Sequence, residues 1–284
     1  MDLTNYKKEI IQLEKELKNT RLLSNKREII PELASILTNA IDKRVKGKTG
    51  IAFSGGVDST LIAFICKKLK KDIALYNVGL KGSKDTEWAK KISKHYKWKL
   101  KQIIVTLEEA EAIIKKIVKM LPDPSVVKVG VACPEYIVLK QAKKDKVKTV
   151  LGGLGSEEIF AGYERHLLAK DKHKECWIGL KTLYEKDLSR DFAVSNALKV
   201  NILCPYLDKD LVKYAMQIDS SLKITEQEKK IILRETAVHL GLKKEFAFRK
   251  KLAAQYGSGF HKAIDKLSRK NGFKFKKDYL NSLK

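Results

Sequence analysis

The sequence has few of the features that mark secreted, membrane-spanning or zinc-organised proteins. Its 284 residues hold four cysteines, Cys66, Cys133, Cys176 and Cys204, widely spaced and without a C-x-x-C pair. That pattern indicates neither a disulfide framework nor a zinc site, and it fits a reducing cytoplasmic setting. Every apolar stretch of helix length is interrupted by charge, which argues against a membrane span. The residues from Met1 to Lys8 lack the apolar stretch of a secretory leader. There is no internal repeat and no low-complexity segment. Negative charge is scarce: 34 Asp and Glu stand against 59 Lys and Arg, a net charge of +25. Such an excess fits an RNA or DNA partner. It also fits a lysine-rich or heat-adapted protein with lysines on solvated faces. The lysines are scattered and no basic motif interleaved with aromatics stands out, so charge alone does not choose.

Hydrophobic residues make up 44% of the chain, ample for a core. Residues 3–18 read as a charged helix with a narrow apolar seam (Ile10, Leu13, Leu17) that docks on the body or on a second subunit, so a homodimer is one expectation. Ile29, Leu33, Ile36, Leu37 and Ala40 recur at helical spacing, with Pro31 in the first turn. Strands and helices then alternate. Strands are expected over 50–54, 73–78, 103–105 and 149–151, with helices over 59–70 and 108–120. Asp85 is expected to cap a helix carrying Trp88, Ile92 and Tyr96, and Pro134 to open the helix before the fourth strand. This alternation predicts an α/β fold: a parallel twisted sheet with helices on both faces. After about residue 166 the pattern becomes helical, with Gly241 as a helix stop. The organisation expected is an N-terminal helical segment (1–45), an α/β nucleotide-binding domain (46–165) and a helical C-terminal subdomain (166–284).

The most informative run is Ser54-Gly55-Gly56-Val57-Asp58-Ser59, between an apolar strand (Ile51, Ala52, Phe53) and a helical run (Leu61, Ile62, Ile65, Leu69). Glycines without Cβ let the backbone approach a ligand closely. Successive N–H groups can form an anion nest, and the helix start adds free N–H groups and its positive dipole end. Ser54 and Ser59 add hydroxyls. Asp58 beside an anion calls for a cation between them, and Mg²⁺ bridging to phosphate oxygens satisfies that. A second run, Gly153-Leu154-Gly155-Ser156-Glu157-Glu158-Ile159-Phe160-Ala161-Gly162-Tyr163, joins a glycine turn to two carboxylates at a helix start. Glu157 is expected to face Asp58 and share the metal.

The first run resembles the PP-loop of the ATP pyrophosphatases, which cleave ATP between the α and β phosphates, adenylate an oxygen and release pyrophosphate. It is not a Walker loop: Gly47-Lys48-Thr49 precedes the strand and reads as a turn. The second run resembles the G-E-G-(S/A)-D-E-x-F-G-G-Y motif of the synthetase domain of asparagine synthetase. Further segments agree in order over roughly residues 46–260. Val78-Gly79-Leu80 with Gly82, Ser83 and Asp85 is similar to the adenine-side segment, and Pro205-Tyr206-Leu207-Asp208 to P-F-L-D. Ile232-Leu233-Arg234-Glu235 is similar to I-L-R-x, and Arg249-Lys250-Lys251 to R-x-K. The resemblance implies an ATP- and Mg²⁺-dependent amide ligase. In it, Ser54, Gly55, Gly56, Asp58 and Ser59 would cradle the phosphates, Val78 and Gly79 would line the adenine, and Gly153, Gly155 and Ser156 would also bind the cofactor. Asp58 and Glu157 would hold the metal, and Lys251 would neutralise the pyrophosphate.

The departures concern the acceptor. Leu154 stands where the family has a glutamate, and a leucine cannot move a proton. Asn201 and Leu203 replace a carboxylate and a guanidinium, Glu157 replaces an aspartate, and Ala161 replaces a glycine in what reads as a mild change. His166 and Tyr163, just downstream, could take over the proton. Family members that hydrolyse glutamine place a nucleophilic cysteine after the initiator methionine. Here Asp2 follows Met1, so free ammonia, a separate glutaminase or another nucleophile is expected. The leading expectation is adenylation of a small carboxylic acid for attack by ammonia or an amine. The alternative is an RNA-modifying enzyme of the same superfamily acting on a base carbonyl, with Cys133 and Cys204 as the thiols to consider.

Overall fold

Five short parallel strands, joined in one sheet, frame the molecule. The computed structural model describes residues 3–250 and 253–284. Asp2 and Lys251, both named above, lie outside the described residues. Two helices lead in, α1 (Leu3–Leu17) and α2 (Lys26–Asp42), followed by β1 (Thr49–Ala52), α3 (Val57–Lys68), β2 (Ile73–Leu80) and α4 (Lys84–His95). Next come β3 (Leu100–Val105), α5 (Leu107–Met120), α6 (Val126–Lys144), β4 (Thr149–Leu151) and α7 (Ser156–Ile159). The chain continues through α8 (Glu164–Leu168), α9 (Lys172–Leu183), a π-helical turn (Tyr184–Leu188), α10 (Ser189–Leu198) and β5 (Asn201–Leu203). After a 3₁₀ turn (Pro205–Leu207) come α11 (Lys209–Ala215), α12 (Ile231–His239), α13 (Lys244–Ala247), α14 (Ala254–Gly257), α15 (Phe260–Lys270) and α16 (Lys276–Asn281).

The expected α/β sheet is therefore present, and its order explains where a ligand goes. From β1 the chain winds outward to β2 and β3, then returns to the other side of β1 as β4. The order reverses between β1 and β4, where crossovers diverge and leave a crevice at the strands' carboxyl ends. Register confirms the alignment, with Ile51 opposite Leu75 on one side and Leu151 on the other. Both glycine-rich runs leave strands at this crevice.

Apolar residues fill both faces. Leu61, Ile62 and Ile65 of α3 and Ile92 of α4 pack with Leu33 and Leu37 of α2, and α1, α9 and α12 join the same core. Ile114 and Ile117 of α5, Leu139 of α6 and Ile264 of α15 fill the opposite face. Local chemistry sets the boundaries. Thr106 and Glu109 close a capping box at α5, and Ser125 caps α6.

Three local expectations are corrected. Pro134 lies inside α6 rather than opening it, because the Ser125 cap starts that helix earlier. Asp85 lies in the first turn of α4, not at its N-cap, which is Ser83; its carboxylate is buried on Arg249 instead. The segment after residue 166 is not wholly helical: Asn201–Leu203 adds a strand beside β4, too short to show a period of two.

Candidate active site

The PP-loop is wound by its own side chains before any ligand arrives. The Ser54 N–H donates to Ser59 Oγ at 3.2 Å, and the Gly56 N–H to Ser54 Oγ at 3.3 Å. Gly55 has φ +70°, and a Cβ there would meet Ala89 N at 2.9 Å, so the position needs glycine for conformation and space alike. Arg249 braces the loop from behind. It donates through Nη1 to Ser54 O at 3.1 Å and through Nη2 to Asp85 Oδ1 at 2.8 Å, with its guanidinium over Trp88. Arg234 in turn donates to the carbonyls of Ala247 and Arg249 at 2.6 and 3.1 Å, fixing the segment that carries the brace.

One lysine joins the two motifs. Lys230 Nζ lies 2.8 Å from Asp58 Oδ1, 2.8 Å from Glu157 Oε1 and 3.0 Å from Ser156 Oγ. It is buried, and its backbone sits in the left-handed region at φ +56°, rare for a lysine and costly unless its surroundings enforce it. Burial works against its charge, but Asp58 and Glu157 outweigh burial and raise its pKa. The Asp58 carbonyl accepts from Tyr206 Oη at 3.1 Å, so the Pro205–Leu207 turn also holds α3 in place.

These groups open on a cavity of about 570 Å³. Ser54, Asp58, Ser59, Val78, Gly153 and Glu157 line it. Gly55, Gly56, Gly79, Gly155 and Ser156 are not among its lining residues. Gly79 is packed against Ser83 and Thr86, and Gly155, at φ +96°, lies against Leu207, while Gly153 lets the chain pass Asp58, whose Cβ a Cβ there would meet at 3.0 Å.

Ala161 is not the mild change its small side chain suggests. It is buried with φ +54°. A left-handed non-glycine residue costs about 1–2 kcal/mol, more than the roughly 0.4–1 kcal/mol glycine adds through unfolded-chain entropy. Ala161→Gly should therefore stabilise the protein by roughly 0.5–1 kcal/mol, read as a higher urea midpoint with unchanged slope.

The substituted acceptor positions separate in space. Leu154 lines the cavity. Asn201 is exposed, and Leu203 contributes its carbonyl to Gly152 N–H at 2.9 Å. Tyr163 reaches the cavity, under the Arg165 guanidinium. His166 is not among the lining residues. It is buried, its Nδ1 accepts from the Tyr163 N–H at 3.1 Å, and burial with Arg165 pushes its pKa down to about 3. It is thus a neutral structural imidazole. Burial also raises the Cys133 and Cys204 thiols, which disfavours thiolate at either.

Glu158, beside the metal-site candidate Glu157, is a buried carboxyl pushed up to about 7 by burial first, then by Glu157 and Asp187. Its folded pKa exceeds its unfolded one, so ionisation costs stability as pH rises from the ordinary carboxyl range through about 7. Glu158→Gln should remove that loss. Denaturant titrations at pH 5 and 8 should show the variant gaining on the parent protein, by up to a few kcal/mol, only at the higher pH.

Sequence reading missed Lys230 as a site residue. The available signal was its place two residues before the Ile232-Leu233-Arg234 match, hidden in a lysine-rich chain. It also missed Glu135, Asp187, Arg190 and Asp191, which line the β5 side of the cavity.

A parallel sheet with a phosphate-type loop at its switch point, a carboxylate pair and a buried lysine defines a PP-loop nucleotide-binding protein. The chain belongs to the Asparagine synthase family, whose profile matches residues 32–177 and 168–271. It is 33% identical over 290 aligned positions to putative asparagine synthetase [glutamine-hydrolyzing] 1 of Methanocaldococcus jannaschii, covering 87% of this chain and 53% of that protein. With asparagine synthetase B [glutamine-hydrolyzing] of Escherichia coli it shares 29% identity over 205 positions, covering 66% of this chain and 37% of the other. The chain spans about half or less of these relatives' length. Among solved structures, the U34-tRNA thiolase NcsA from Methanococcus maripaludis aligns over 88% of this chain and 76% of that one at 16% identity, with a TM-score of 0.42, too distant to bear on substrate. Among the described residues, no helix is long and apolar enough to cross a membrane.

Proposed function

We propose that this chain binds ATP with Mg²⁺ in the crevice and adenylates a carboxylic acid, so that ammonia or an amine can displace AMP and form an amide. The observation that carries this reading is Lys230 held between Asp58 and Glu157 above the PP-loop. Two carboxylates meeting on one cation fit Mg²⁺, which takes one or two protein carboxylates and completes its shell with phosphate oxygens and water. When bound there, Mg²⁺ would offset charge building on pyrophosphate.

The chain's own residues do the rest. The loop N–H groups and α3 cradle phosphate. Lys230 supplies a compact, mobile positive charge, suited to follow the departing pyrophosphate. Val78 and the β2 side take the base. Lys251 remains a second candidate for the pyrophosphate. Ammonia or an amine is the nitrogen donor in this reading. ATP–pyrophosphate exchange across a panel of small carboxylic acids, followed by ammonium-dependent AMP formation, tests the reading. Exchange with at least one acid is expected; no exchange with any acid would count decisively against it.

The net charge of +25 favours a second reading, adenylation of an RNA base. It requires tight tRNA binding that weakens steeply with salt. Weak, salt-insensitive binding removes it.

A further inference from the structure

Between α6 and α10, on the β5 side of the cavity, three carboxyl groups gather around one guanidinium. Arg190 is buried and turned onto two of them: Nε lies 2.7 Å and Nη2 2.5 Å from Asp191 Oδ1, and Nη1 lies 2.7 Å from Asp187 Oδ1. The third, Glu135 on α6, has its Oε2 4.0 Å from Arg190 Nε, beyond a hydrogen bond. The Glu135 side chain is only 10% exposed, yet it lines the cavity, and its buried Oε1 has no hydrogen-bond partner among the described residues. An unpartnered buried carboxyl oxygen is expensive unless a ligand answers it. Asp187, in the π-helical turn at Tyr184–Leu188, reaches the same guanidinium from three residues earlier, an ordinary helical pairing. The nearby walls are apolar: Val131, Pro134, Val138 and Ile202.

The balance of charge identifies what fits. A substrate carboxylate brought to Arg190 would meet Asp187, Asp191 and Glu135 at once. A cation meets a guanidinium already neutralised and a carboxyl oxygen with free lone pairs. We propose that Glu135 and Asp191, set by Arg190 and Asp187, form a subsite for a cationic nitrogen, either an ammonium ion or a protonated primary amine. Burial pushes the Glu135 carboxyl well up, helped by the charge of Asp191 and a hydrogen bond with it; a cation at Oε1, the oxygen left without a partner, would oppose that shift.

What the nitrogen does next rests on the adenylation reading. The ammonium gives one proton to the Glu135 carboxylate and attacks the acyl carbon as a neutral amine. The C–N bond forms, the C–O bond to AMP breaks, AMP leaves with the electron pair, and the nitrogen's surplus proton passes to solvent. Glu135 would thereby supply, from α6, a carboxylate on a cavity wall where Leu154 offers none.

Rubidium, a cation of ammonium's size with an anomalous X-ray signal, probes the subsite without turnover. Crystals soaked in rubidium chloride should show an anomalous peak within coordination distance of Glu135 Oε1, absent from Glu135→Gln crystals. No peak there, or a bromide peak on Arg190 after a bromide soak, overturns the proposal. With any acid that supports exchange, Glu135→Gln should raise the ammonium KM at least tenfold with little change in the ATP KM, and Glu135→Asp should recover part of the loss. Unchanged ammonium dependence would refute the subsite while leaving adenylation standing. Failure of every acid would refute adenylation and leave the rubidium result to decide the subsite. Should Glu135→Gln not fold, the peak in the parent protein still decides.

Discussion

Lys230→Met should lose pyrophosphate release by roughly 10²–10³-fold, the range seen when one preorganised electrostatic group is removed from an active site. The same change should weaken the protein. Asp58 and Glu157 would face each other without the ammonium that now lies 2.8 Å from each. Removing one partner from a buried ion pair costs about 3–5 kcal/mol; because Glu157 is a third exposed, the lower end applies here. At roughly 2–4 °C per kcal/mol for a chain of this size, the melting temperature should fall by about 6–10 °C. Magnesium, attracted to the same two carboxylates, should restore part of that loss in the variant and little in the parent. Lys230→Arg separates the effects. It keeps the charge, and so much of the stability, but its planar fork replaces a compact ammonium on a left-handed residue, and activity should remain low. An active Lys230→Met protein would remove this lysine from the chemistry altogether.

Asp85→Asn should be the most damaging substitution outside the cavity's charged centre. The Asp85 and Arg249 side chains are 3% and 2% exposed, so the guanidinium has no water to turn to. Burial already lowers the Arg249 pKa, with Asp85 opposing it. Loss of the carboxylate charge should cost about 3 kcal/mol or more. The damage should spread to the nucleotide, because Arg249 also holds the Ser54 carbonyl and lies behind Gly55. A melting temperature lowered by about 6 °C or more, together with weaker MgATP binding, is expected. The double variant Asp85→Asn with Arg249→Met should be more stable than Asp85→Asn alone, since it removes the stranded charge. Additive losses would show that the pair is not coupled.

Much of this molecule can be read from its residues, and the limits have physical causes. The strand-turn-helix around Ser54–Ser59 is local, so glycine, apolar runs and helical spacing revealed it. The parallel sheet followed from alternation alone. β5 escaped notice because three residues carry no period, and because strand pairing with β4 depends on a partner fifty residues away in sequence. Pro134 was misplaced because a proline inside a long, well-packed helix gives the same local signal as one at its start. The subtler failures are long-range. Lys230 meets Asp58 across 172 positions, and Asp85 meets Arg249 across 164; no spacing rule links such pairs. Ala161 shows the converse: its chemistry is plain in the sequence, but its left-handed backbone is not.

Titration of the protein with ATP in a calorimeter, with and without Mg²⁺, tests the central claim most directly. The account predicts one nucleotide bound per chain, binding that strengthens markedly with Mg²⁺, and loss of that Mg²⁺ dependence in Asp58→Ala with the fold intact by circular dichroism. No heat with MgATP, or equal binding by Asp58→Ala, would contradict it.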